Sequence, residues 1–232
     1  MNIKVNYHIQ DGNSLDQTTT RNLDALKEKG FEAENQTALQ DCILDTTTKE
    51  KAQNKAAKDI TDKTAEQNTA VDETKDLVKK VRGAVLTGYD TDIRTQNLFN
   101  IGKRLPYSVN GLRSECEYLS TVIPGKEVVL LKNGLVQADL TALTNASARL
   151  VTADKAQEDA KKIGVSSTVA RDESLKKLKT IKKKIRNFVK TAFQGNKEIL
   201  VQFEPIPDGR GGGNGGGDET NTPPTNTPPP TN

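Results

Sequence analysis

KAQNKAAKDI at Lys51–Ile60 and KAQEDAKKIG at Lys155–Gly164 stand 104 residues apart in a chain of 232. Sliding the chain over itself by that offset, without a gap, lays Glu28–Phe99 on Lys132–Phe203 with 18 identities in 72 positions. Chance at these compositions gives about six. The matches run the length of the segment. Gly30 meets Gly134; Thr37, Ala38 and Leu39 meet Thr141, Ala142 and Leu143; Lys79, Lys80 and Arg82 meet Lys183, Lys184 and Arg186; Phe99 meets Phe203. The pattern reads as an internal duplication, with copy one at 28–99, a connector at 100–127 and copy two at 132–203.

Within each copy the apolar positions recur at a helical period. Ala52, Ala56, Ile60, Gln67, Val71, Thr74, Val78, Val81 and Val85 share one stripe, and Ala156, Ala160, Ile163, Ala170, Leu178, Ile185 and Ala192 form its counterpart. The phase does not slip across the polar middles, 61–69 and 165–173, which predicts one long helix per copy. Thr46–Thr48 and Gly164 are the weak points, because a glycine inside a helix costs ~1 kcal/mol relative to Ala and commonly sits just past a helix end. A break near Ile60 and Gly164 would turn each copy into a hairpin. A single long helix cannot hide its stripe, but two packed antiparallel can. Shorter helices at Ser14–Lys29 and Asn110–Val122 would complete an elongated bundle of about four. Small stripe residues bury little area, so most stabilisation is expected at the richer ends, near Val71–Tyr89 and Leu175–Phe193.

The chain ends read differently. Ile3, Val5, Tyr7 and Ile9 alternate with polar residues and run into Asp11, Gly12 and Asn13, which predicts a short N-terminal β-strand closed by a turn. Its partner by composition is Val128–Leu131, a run that can equally open a helix. Residues 208–232, DGRGGGNGGGDETNTPPTNTPPPTN, lack the apolar surface to offset ordering entropy and read as a disordered tail. The expected fold is therefore mainly α: a duplicated helical bundle over residues 1–207, a short strand at its start and the tail beyond.

Composition limits what such a bundle does. The chain is 33% hydrophobic and 4% aromatic, with no Trp, one His and two Cys. That argues against a broad buried cavity and removes the usual stacking platforms for bases and sugars. Cys42 and Cys116 match neither a disulfide framework nor a metal pattern and suit a reducing compartment. No apolar run reaches the ~18 residues of a membrane helix, so the expectation is a soluble cytoplasmic protein.

The segments KVRGAVLTGYDTDIRTQNLFNIG and KIRNFVKTAFQGNKEILVQFEPI each follow an Ala/Gln/Lys-rich helix. They resemble the repeat ends of uncharacterised bacterial proteins with duplicated long helices and a Pro-rich extension, over roughly residues 28–205. The resemblance implies a helical bundle and no chemistry.

His8 is the only histidine, which leaves no second ligand for a Glu-x-x-His di-iron site and no ordinary triad. It is expected exposed, on the polar face of the strand. Carboxylate neighbours such as Asp72 with Glu73 sit among lysines and read as a solvated helix face. No catalytic residue, cofactor or metal is expected. Charge carries more information. Residues 1–100 hold 14 basic and 17 acidic groups, whereas 101–204 hold 19 and 11. The excess centres on SLKKLKTIKKKIRNFVK, Ser174–Lys190, with eight basic residues and no acid. Lys176, Lys177, Lys179, Lys182, Lys183, Lys184, Arg186 and Lys190 form a candidate interaction face. The expected function is a non-enzymatic structural or protein-interaction module whose partner is another protein or a second copy. The alternative is a nucleic-acid-associated protein that binds phosphates through helix 174–190. Membrane-surface binding is weaker, since Leu175, Leu178 and Ile185 are needed for the core.

Overall fold

The computed structural model describes residues 3–207, of which 82% are helical, with no strand among them. The elements are α1 (Ile3–Arg21), α2 (Leu23–Glu28), α3 (Ala33–Gly88), α4 (Ile93–Leu98), α5 (Val109–Val122), α6 (Glu127–Lys132), α7 (Gln137–Ala192) and α8 (Lys197–Gln202). The bounds of α6, α7 and α8 repeat those of α2, α3 and α4 at an offset of 104. Local chemistry repeats with them. Gly30 and Gly134 take the left-handed φ values of 85° and 104°, so that Phe31 N–H and Leu135 N–H return to the carbonyls of Leu26 and Leu130. Asp92 and Asn196 cap α4 and α8 by accepting from Thr95 N–H and Ile199 N–H.

The two 56-residue helices, each about 84 Å long at ~1.5 Å per residue, lie antiparallel. Their cross-contacts descend in register, from Thr46 with Ser174 through Gln67 with Asp154 to Lys80 with Asp139. Neither helix breaks. The hydroxyls of Thr46, Thr47 and Thr48 donate to the carbonyls four residues back at 2.7–2.9 Å, so these side chains satisfy themselves along the helix. Gly164 sits inside α7 because a Cβ there would meet Ile60 Cδ1 at 2.5 Å. Ile60 occupies the repeat position that Gly164 occupies in α7, and the pair fits as bulk against gap. The stripe therefore crosses at Gly164. Ile163 is 57% exposed, and Ala52 is exposed as well.

Burial concentrates at the two ends of the rod. One end packs α1, α2 and the start of α3 on the end of α7, around Val5, Leu26, Leu39, Leu178, Ile185 and Phe203. The other packs α5, α6 and the start of α7 on the end of α3, around Val81, Val85, Phe99, Leu119, Leu130 and Leu143. Between them the long helices meet through Ala56, Ala160 and polar pairs such as Gln157 with Thr64 at 3.2 Å.

The N-terminal β-strand does not form; Ile3–Arg21 is the first helix. Val5, Ile9, Leu15 and Thr19, buried at helical spacing, outweigh the alternation, and Ile3 is left 80% exposed. The Asp-Gly-Asn turn signal fails because both leading residues serve packing: Asp11 accepts an ion pair, and Gly12 leaves room for Ile43 and Leu178. Its proposed partner, Val128–Leu131, lies in α6. The tail, residues 208–232, lies outside the described residues.

Candidate functional site

The basic stretch of α7 divides by helical geometry into cations that hold the fold and cations that face solvent. Lys182 is buried at 3% exposure. Its ammonium donates to Asp11 Oδ2 at 2.8 Å and to the His8 carbonyl at 3.0 Å, and lies 3.3 Å from His8 Nδ1. One turn on, Arg186 grips the same carboxylate with both terminal nitrogens, Nη1 to Oδ2 at 3.0 Å and Nη2 to Oδ1 at 2.7 Å. Its Nε donates to the Phe203 carbonyl at 2.9 Å, and Ile206 N–H donates to Asp11 Oδ1 at 3.1 Å. Tyr7 closes the loop by donating to the Ile206 carbonyl at 3.1 Å. Asp11 is thus the knot that ties α1, α7 and the segment after α8 together.

The electrostatics follow from one carboxylate facing two cations. Burial pushes the Asp11 carboxyl upward, but hydrogen bonds from Arg186 and Lys182 outweigh it and hold the group at about 2. Burial lowers the Lys182 ammonium despite its bond to Asp11. His8, expected to be exposed, is half-buried, and burial with the charges of Lys182 and Lys179 lowers it to about 4. At neutral pH it is uncharged.

Six members of the candidate face, Lys176, Lys177, Lys179, Lys183, Lys184 and Lys190, are exposed, and none of them forms an ion pair among the described residues. Lys182 and Arg186 belong instead to the Asp11 cluster. Asp11 and His8 are members that sequence reasoning missed. The signal that could have found them is the same offset: Asp11 and Arg186 fall 104 residues from Glu115 and Arg82, which form the equivalent pair at the other end, Nη2 to Oε1 at 2.8 Å.

The remaining chemical groups are quiet. Burial raises the Cys116 thiol to about 11 and raises Cys42 as well, so neither is a thiolate near neutrality. Among the described residues no group of three His, Cys, Asp or Glu side chains is placed to hold a metal ion, and no helix is long and apolar enough to cross a membrane. Comparison with known proteins returns no match, whether to family models, curated protein sequences or solved structures.

Proposed function

We propose that the chain is a non-enzymatic helical rod, built by duplication of one helix unit, that acts as a structural or protein-interaction module. The observation carrying this reading is the use of the polar inventory: the buried charged and hydroxyl groups that meet one another do so across helix interfaces, where they fix register. Asp11, Lys182 and Arg186 join three segments. Thr46, Ser174 and Asp45 join α3 to α7 at 2.6–3.0 Å. A long, thin rod with exposed flanks offers surface to a protein partner or to a second copy. Concentration-dependent sedimentation, together with cross-links mapped between copies or to a bound protein, tests the reading. A turnover activity abolished by one polar substitution would sink it.

A second reading is favoured by the six exposed, ionically unpartnered lysines of α7. They suit phosphate contacts whose affinity falls steeply with salt. An electrophoretic mobility series at rising salt separates the readings, and no shift even at low salt would end the second.

A further inference from the structure

A groove of about 350 Å³ opens beside the Asp11 knot, between α1, α7 and the segment that follows α8. It is lined by Tyr7 and His8 of α1, by Lys179, Lys183 and Arg186 of α7, and by Pro205. The buried Lys182 and Asp11 form part of the lining. We propose that this groove binds an oligophosphate anion, a di- or triphosphate group, independently of any role of the rod as an interaction module.

Three observations support the site. First, the lining is unbalanced: Lys179, Lys182, Lys183 and Arg186 supply four positive charges against the single carboxylate of Asp11. Asp11 already accepts from Lys182, Arg186 and the Ile206 N–H, so it has little left to offer the exposed lysines. Second, the Arg186 guanidinium, with five N–H donors, spends three on Asp11 and Phe203. Its other two have no acceptor among the described residues. They sit on a side chain already locked in place, so binding there costs little ordering entropy. Third, Lys179, Lys183 and Arg186 are spaced i, i+4 and i+7 on one face of α7 and span about 10 Å of helix at ~1.5 Å per residue. A short phosphate chain offers acceptor oxygens along that whole span, more than a lone phosphate does.

His8 is the only histidine and faces Lys179 and Lys182 of α7 and Asp11 of its own helix. It reports on the groove, because an anion neutralising those lysines removes part of what lowers its pKa. The experiment titrates the full chain with tripolyphosphate, pyrophosphate, orthophosphate and a single-stranded oligonucleotide, by calorimetry and by NMR of the His8 ring. Tripolyphosphate is expected to bind about tenfold more tightly than orthophosphate and to raise the His8 pKa from about 4. Lys179→Gln with Lys183→Gln should weaken binding by about tenfold or more. Lys176→Gln with Lys190→Gln, exposed positions on the same helix outside the groove, should change it less than about twofold. Absence of heat and of a His8 shift would overturn the proposal. So would equal losses in the two double variants, or tighter binding of the oligonucleotide that is insensitive to the groove lysines, since either outcome assigns the lysines to an extended polyanion. Unchanged melting of both variants establishes that the losses are local.

Discussion

The two ends of the rod share a plan and differ in how they use it. At one end Glu115 of α5 meets Arg82 of α3, with Asn100 donating to its other oxygen at 3.2 Å. At the other, Asp11 of α1 meets Arg186 of α7, and the residue one turn before the arginine is Lys182, where the position 104 residues earlier holds Val78. Val78 is fully buried in apolar company, so a plain contact at one end is an ammonium at the other. That exchange doubles the cations on one carboxylate and, after burial, adds to what holds His8 neutral. The same helix geometry supports either arrangement, a carboxylate with one cation or a carboxylate with two.

Removing the carboxylate should break the comparison most sharply. Asp11→Ala leaves Lys182 and Arg186 without a counter-charge, for an expected loss of about 3–5 kcal/mol. Chemical denaturation measures the total, and hydrogen exchange should place the loosening in α1 and the last turns of α7. A protection map unchanged at that end would mean the knot is not structural. Glu115→Ala strands only one guanidinium, itself 12% exposed, and should cost less, about 1–3 kcal/mol. Equal losses would erase the distinction between the ends.

Acid should separate the ends by pH. His8 has its folded pKa lowered from 6.5 to about 4, so its contribution is complete above 6.5 and is lost as pH falls through 4. Asp11 is lowered from 3.8 to about 2, so its contribution is present above 3.8 and is lost on the way to 2. Hydrogen exchange followed from pH 7 downward should show the α1 end loosening between 6.5 and 4, and His8→Gln should remove that first phase. The smallest effect is expected in the middle. Gly164→Ala places a methyl against the flexible end of Ile60 and gains helix propensity of ~1 kcal/mol. The net change in melting temperature should be small, whereas Gly164→Leu should cost about 1–3 kcal/mol through overpacking.

Much of the architecture was legible because helices announce themselves by period. The long stripes, the confinement of prolines in residues 1–204 to Pro106 and Pro124, and the 104-residue recurrence all point to α3 and α7, and α5 falls within a residue of its expected start. The first helix was misread for a physical reason. Residues 3–9 are too short a window to distinguish period two from period 3.6, and Asp-Gly is a turn signal only when its carboxylate and bare Cα have no tertiary use. Gly164 was ambiguous alone, since a glycine that ends a helix and one that admits a neighbour look the same without the neighbour. The basic face was legible as composition but not as geometry, because nothing within Ser174–Lys190 says which cations will find a carboxylate 171 or 175 residues away.

The sequence by itself determined a mainly helical chain with a 104-residue recurrence of pattern, two rich ends, a polar middle and an uneven distribution of charge. These are properties of local periodicity and composition, and they survive any choice of partner surface. The tertiary structure decided which faces meet: that Asp11 lies beneath Lys182 and Arg186, that Ile60 fills the gap at Gly164, and that six lysines remain outward. Such pairings depend on helix register across more than 100 residues, and register is set by the summed packing of the whole rod.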